Sequence, residues 1–408
     1  MTTAKRLITD GKVFTEALFL TAFSFYVIFF YLQTTTFILD IPGEYYSIIR
    51  GVLLACGLYR IYVFKDELGI PVISVLSLFM GLGLFFAVSR ADTFVLDAAI
   101  ITAGAVNVSF KRIGIIYVYI GALISLLALV CSRTGIIPDY IFHTNYGVNE
   151  SVRHSFGIIY PTDCFAHIFY LAVIYFILRW KRITYFEIAG AGIVFAGVFY
   201  FTRARIDMIS AVLMLIAVLV CKLFKFRAIK IGNKIKAVTV SALMPVCAAA
   251  ITVITYFYDE TNSFMYSLDA KMSYRLSLGK IGMGLYGFKL LGNPNFAENG
   301  NANGGVRNYA YVFYDSAYIK YLFKYGIILL VVLFVIYALI GIRLIRKDML
   351  YGMVFVGLIT MTLVIEHHML ELSYNITLLL LTADISTILQ CGSPIYINNK
   401  NGIMAKTT

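Results

Sequence analysis

The sequence predicts an all-α protein, a polytopic transmembrane helical bundle of about twelve spans. Three observations predict it. Of 408 residues, 60% are hydrophobic and only 14% charged, with a mean hydropathy of +0.83, whereas a soluble domain carries about 25% charged residues. Apolar runs of roughly 17–25 residues recur along almost the whole chain, each long enough to cross a ~30 Å hydrocarbon layer. The period-two alternation of a transmembrane barrel is missing.

Taken in order, the first run, 13–37, follows Lys5 and Arg6 as in a signal peptide, but it is too long and no small-residue cleavage pattern follows it, so it reads as a retained helix. Further runs lie near 45–64, 70–88, 92–109 (interrupted by Asp97), 113–131, 158–179 and 184–201. They continue near 206–224, 237–257, 317–342, 350–365 and 371–390. With both termini cytoplasmic, the inner turns collect Lys5, Arg6 and Lys12, then Arg60 and Lys65, Lys111 and Arg112, and Arg179, Lys181 and Arg182. Lys222, Lys225, Arg227, Lys230, Lys234 and Lys236 follow, then Arg343, Arg346 and Lys347, and finally Lys400 and Lys406. The outer turns Asp40–Glu44, Asp259-Glu260 and Glu366-His367-His368 are acidic or sparse in charge. The net charge of +12 is thus read as positive-inside topology rather than as affinity for nucleic acid.

The chain reads as a single integral membrane domain, 1–408, with two long connections that fall outside: 132–157, and 258–316 between the ninth and tenth spans. Both mix aromatics, charges and glycines, and long ordered loops over a helical scaffold are where function concentrates.

Arginines that break the positive-inside pattern carry the chemical argument. Arg90, Arg133, Arg153, Arg203, Arg205, Arg275 and Arg307 fall on the predicted outer side. A guanidinium holds phosphate bidentately, so such a group suits a diphosphate on a lipid carrier; the alternative is contact with phospholipid headgroups. In Thr202-Arg203-Ala204-Arg205-Ile206-Asp207 a tight hairpin sets two arginines at membrane level, and Asp207 could neutralise one of them. The start of the following helix also favours an anion. His154, beside Arg153, could serve as a general base or as a donor to a sugar. Asp315 is either a base for an acceptor hydroxyl or an ordinary helix cap. Tyrosines around it, Tyr318 among them, offer platforms for sugar faces, although such rings are also common at membrane interfaces. His143 and the His367-His368 pair are expected to face outward, and His167 to make a hydrogen bond within the bundle. The six cysteines have no metal-ligand spacing, and no His-x3-His or Glu-x2-His pattern occurs, so no metal is expected. Nucleotide and dinucleotide loops and a nucleophile elbow are also missing, so no cofactor is expected and any energy source must arrive with the substrate.

Four segments in fixed order, Arg153-His-Ser-Phe-Gly157, Thr202-Arg-Ala-Arg205, Tyr274-Arg275 with Gly287-Phe-Lys-Leu-Leu-Gly292, and Asp315-Ser-Ala-Tyr318 with Tyr325-Gly-Ile-Ile328, together with the twelve-span layout resemble Wzy-type polysaccharide polymerases, relatives of the O-antigen ligases. The resemblance covers nearly the whole chain by layout, and each motif is short. It implies a GT-C-like glycosyltransferase of the bacterial plasma membrane that polymerises undecaprenyl-diphosphate-linked oligosaccharide repeat units, needing neither metal nor nucleotide. The lipid-linked donor and acceptor would be its partners, with membrane lipids and a chain-length regulator and flippase beside it. By position, Arg203 and Arg205 would grip the diphosphate with Arg275 and Arg153 in support. Asp315 and His154 would be the catalytic candidates, with Glu366 a further possible base, and Tyr318, Tyr274 and Arg307 would contact sugar. One departure favours polymerase over ligase: residues 258–316 contain no histidine, where ligases place a catalytic one. The rival from another class is a lipid-linked oligosaccharide flippase, against which stand the few mid-span charges (Asp97, Arg50) and the long outer loop.

Overall fold

Stretches rich in Leu, Ile, Val and Phe become long helices whose outward sides stay apolar, as lipid contact requires. The computed structural model describes residues 3–37, 39–146, 149–224, 232–298 and 312–389. The helices are α1 (Thr3–Gln33), α2 (Gly43–Leu68), α3 (Ile70–Arg90), α4 (Phe94–Gly104), α5 (Phe110–Arg133), α6 (Pro161–Arg179), α7 (Tyr185–Thr202) and α8 (Arg205–Leu223). They continue with α9 (Asn233–Tyr256), α10 (Ser263–Lys271), α11 (Arg275–Tyr286), α12 (Ala317–Lys324), α13 (Gly326–Arg346), α14 (Leu350–Thr362) and α15 (Ser386–Leu389). Strands β1 (Ile141–Tyr146) and β2 (Asn149–His154) form an antiparallel hairpin between α5 and α6. Among the described residues, nine helices are long and apolar enough to cross a membrane: α1 from Gly11, α2, α3, α5 to α9, and α13. The protein is therefore an all-α multi-pass membrane protein. Phe186, Ile193, Val194, Leu123 and Val246 stand exposed on outward faces, while one continuous apolar core runs from Phe19 to Ile388.

Nine long helices rather than twelve is a correction with identifiable causes. The run 92–109 yields only α4, whose 11 residues rise about 16 Å, roughly half a hydrocarbon layer. The run 317–342 is broken between α12 and α13. The run 350–365 gives a helix of 13 residues. The last run, 371–390, forms turns, a 3-10 segment at Thr377–Leu381 and the short α15 rather than a span. Its side chains are apolar because it is enclosed by other helices, and the backbone it frees is satisfied from outside. Arg343 donates to Leu380 O at 2.8 Å, Asn107 N–H to Thr382 O at 2.9 Å, and Tyr117 to Tyr374 O. Irregular backbone at this depth is tolerated when protein encloses it.

Hydrogen bonds and ion pairs gather helix termini into two ends. At one end Glu16 meets Arg112 at 3.2 Å, Arg60 reaches Lys12 O at 3.2 Å and Asp384 N–H donates to Val108 O at 2.7 Å. There also Thr184 caps α7 reciprocally with Glu187, which holds Arg179 at 2.6 Å. At the other, the hairpin end, lie the last turns of α1, α3, α5 and α7, the first turns of α6 and α8, and α10 to α12. Mid-bundle, Arg50 and Asp97 pair through two bonds, the longer at 3.0 Å, so the charge that interrupts the fourth run is neutralised rather than offered to a cargo.

The break between α12 and α13 joins two of the segments singled out in the sequence. Ile327 N–H donates to Lys289 O and Ile328 N–H to Leu290 O, each at 3.0 Å, and Asn293 N–H donates to Phe323 O at 2.8 Å. Arg90 staples the junction through the carbonyls of Lys324 and Leu291, and Asp92 holds Lys324 at 2.7 Å and the Tyr325 hydroxyl at 3.0 Å. Gly326 has φ +85°, and a Cβ there would lie 2.2 Å from Gly292 N. Gly326→Ala must therefore open the junction, costing at least ~1–2 kcal/mol from the left-handed backbone alone and more from the clash. Purified G326A should melt well below the parent, whereas Gly284→Ala, where an added Cβ meets nothing within 4 Å, should not.

Candidate functional site

At the hairpin end two polar groups adjoin, one at the surface and one buried. The surface group is built on the β-hairpin, which the sequence reading took as a loop. Register places His154 opposite Ile141 and Arg153 opposite Phe142. Gly157 (φ +76°) brings the hairpin's exit onto α5, where a Cβ would come within 2.7 Å of Ala128 O. Just before β1, Asp139 Oδ1 accepts the N–H groups of Ser155 and Phe156 at 3.1 and 2.8 Å, and its Oδ2 meets His154 Nδ1 at 2.7 Å. A carboxylate there assigns the proton to Nδ1 and leaves the Nε2 lone pair for chemistry. The imidazole, 25% exposed, rests on the Phe156 ring at 5.9 Å and against Phe201 at 6.3 Å.

Arg153 Nε donates to Thr202 O at 2.7 Å, satisfying one of the carbonyls left open where α7 ends. Arg203 terminates α7 in the left-handed region, φ +52°, with its guanidinium 5.0 Å above the Tyr200 ring and exposed. Arg205, also exposed, opens α8. A non-glycine residue held at positive φ stores strain, which is commonest at functional positions.

Below this group an apolar groove of about 730 Å³ runs between α5, α6 and α7. Leu126, Leu129, Ile168, Ala191 and Val194 line it, and Phe156 and Phe201 close its upper end. The small Gly190 and Gly197 form part of its wall.

The buried group lies alongside, behind Tyr160. Asp207 turns inward, 5% exposed, toward Glu366, with Arg275, Asp315 and Arg153 near it. Arg275 pairs with Asp315 at 3.0 Å and donates to Met272 O at 3.0 Å. Its position is set by Asp269, which caps α11 by accepting the N–H of Leu276 at 2.8 Å. Burial and the neighbouring Asp207 push the Glu366 carboxyl well above the usual carboxylate range. His368, 1% exposed, has Nδ1 2.8 Å from Glu371. Burial alone would lower its pKa, but Glu371 and Asp163 outweigh burial and raise it to about 9. Backbone anchors fix this corner: Ala317 N–H donates to Glu366 O at 3.0 Å, and the Tyr321 hydroxyl accepts from Leu370 N–H at 3.1 Å.

The structure thus sets Arg153 against the end of α7, next to His154 and just ahead of the exposed Arg203 and Arg205 in the chain, and pairs Arg275 with Asp315 in the adjoining interior. Tyr274 caps α11 at φ +65° with its side chain 46% exposed. Tyr318 is elsewhere: it is wholly buried with its hydroxyl donated to Thr360 O at 2.8 Å, and a sugar has no access to it. Arg307 lies outside the described residues. His367 and His368 are buried rather than outward-facing. His167 makes the expected hydrogen bond, with Thr34 at 2.8 Å. Asp139 and Asp163 escaped the sequence reading. Asp139 follows Pro138 just ahead of two short runs, 141–146 and 149–154, with a glycine between them in the sequence, a hairpin signal that could have exposed its role; Asp163 gave no signal of its own. No family model, no curated protein and no solved structure matches this chain.

Proposed function

We propose that this protein is a membrane glycosyltransferase that polymerises undecaprenyl-diphosphate-linked oligosaccharide repeat units, acting at the outer face of a bacterial plasma membrane with both termini cytoplasmic and a GT-C-like layout. The observation that carries the reading is the apolar groove that ends at Phe156 and Phe201 against His154, with Arg153 bonded to Thr202 O and the exposed Arg203 and Arg205 following in the chain. Such a groove accepts a long hydrocarbon chain, and the basic rim accepts the diphosphate to which the chain is joined.

In the transfer, an acceptor hydroxyl oxygen forms a bond to the anomeric carbon of the donor while the bond from that carbon to the diphosphate oxygen breaks. The hydroxyl proton passes to His154 Nε2, and Asp139 holds the ring and stabilises the imidazolium. Negative charge growing on the departing diphosphate is met by the guanidinium groups, which need no reorganisation to receive it. Asp315, engaged with Arg275, positions rather than deprotonates in this account, and the exposed Tyr274 ring offers a surface for a sugar.

The groove can be closed without touching the rim. At Gly197 an added Cβ meets nothing within 4 Å, so leucine there projects into open space. It also removes a helix-interior glycine, which favours the helix by ~0.8–1 kcal/mol. G197L should therefore be produced and melt like the parent. Displacing two or three buried methylenes of a long chain, at ~0.8 kcal/mol each, should weaken binding of a polyprenyl diphosphate about tenfold or more, leaving a short-chain diphosphate unaffected. Equal affinity of parent and G197L for the long-chain ligand would remove the observation on which the reading rests.

A further inference from the structure

The buried group has a feature that glycosyl transfer does not use. His368 Nε2 has no hydrogen-bond partner although the residue is 1% exposed. It points between two carboxylates, Glu366 Oε2 at 3.6 Å and Asp163 Oδ1 at 3.8 Å. Both separations are too long for a hydrogen bond. They are close to the ~3.4 Å between two ligands of a tetrahedral ion bound at about 2.1 Å. His367 supplies a second imidazole: a donor atom from each of Glu366, His367 and His368 lies within 4.8 Å of the others.

We propose that Asp163, Glu366, His367 and His368 bind one divalent first-row transition ion, of which zinc is the probe of choice. Two imidazoles with two carboxylates are borderline donors that suit zinc, iron(II) or manganese better than magnesium. The surrounding architecture is that of a ligand fixed from behind. His368 Nδ1, on the far side of the ring, is held by Glu371 at 2.8 Å, the carboxylate–histidine arrangement that orients metal-bound imidazoles. The ring is clamped in a column, with Tyr374 3.6 Å away, His167 3.7 Å from Tyr374 and Tyr31 3.8 Å from His167.

The sequence reading excluded a metal because no ligand spacing was visible. The site is assembled from α6's first turn and the irregular segment after α14, about 200 residues away in the chain. The inference goes beyond the proposed function and holds whether or not the protein transfers sugar.

The test uses the purified full-length chain in detergent, stripped by chelator, exchanged into micromolar zinc and desalted. Elemental analysis should find about one ion per chain, and zinc should raise the midpoint of thermal unfolding. His368→Ala should lose the ion and the shift. Glu371→Gln keeps all four ligands, so it answers for His368→Ala if that variant misfolds, and it should weaken binding about 10–100-fold. His143→Ala, in the hairpin, should bind like the parent. No stoichiometric zinc in the parent, or undiminished zinc in Glu371→Gln and His368→Ala, would overturn the proposal.

Discussion

Asp139→Asn should slow polymer formation by about a hundredfold, and His154→Ala by about 10²–10⁴-fold, the range spanned by a positioned general base, with binding of the lipid diphosphate retained in both. The asparagine is the more informative of the two. Its amide oxygen can still accept the N–H groups of Ser155 and Phe156, so the hairpin keeps its shape. Its NH2 cannot accept the proton of His154 Nδ1, so the ring loses the tautomer that leaves Nε2 basic. If Asp139→Asn and His154→Ala both polymerise at parental rates and parental protein levels, the base lies elsewhere.

Arg203→Lys should lose polymer formation by about a hundredfold or more, corresponding to ~2–4 kcal/mol for one charged donor at a leaving group. Lysine keeps the charge but presents a single ammonium where a guanidinium holds two oxygens. Its backbone demand at φ +52° is the same as arginine's, so the protein should fold and insert. Arg153→Lys should behave similarly with an added structural cost, because the Nε donor to Thr202 O disappears. Asp207 is the carboxylate that the sequence offers as a local ion-pair partner for Arg203 or Arg205. It faces inward, beside Glu366, so Asp207→Asn should not rescue Arg203→Ala; rescue would restore the ion-pair explanation and end the phosphate role.

Membrane character and the positions of the long helices were legible because an apolar run of about twenty residues has few other uses. Such a run does not reveal its backbone conformation once other helices surround it. The 371–390 segment shows this, for its leucines are buried whether they wind as a span or, as observed, turn irregularly under Arg343 and Tyr117. The same ambiguity misplaced His367 and His368: polar residues after an apolar run read as a surface turn, whereas here they enter the bundle with Glu366 and meet Asp163 from α6. Arg153, Arg203 and Arg205 stand out in the sequence because they break the charge pattern of the membrane. That Arg153 and His154 meet the end of α7 was not legible, since it depends on Asp139 and on a hairpin folding back over α7.

The central claim is that lipid-linked repeat units are joined at this surface. Purified protein reconstituted in liposomes with the lipid-linked repeat unit of its own polysaccharide tests it directly. The account predicts a ladder of products lengthened by whole units, with one lipid diphosphate released per bond formed, and loss of the ladder in Arg203→Lys. Repeat units that cross the bilayer or persist unchanged, with no lengthened product from protein that binds the lipid, would contradict it.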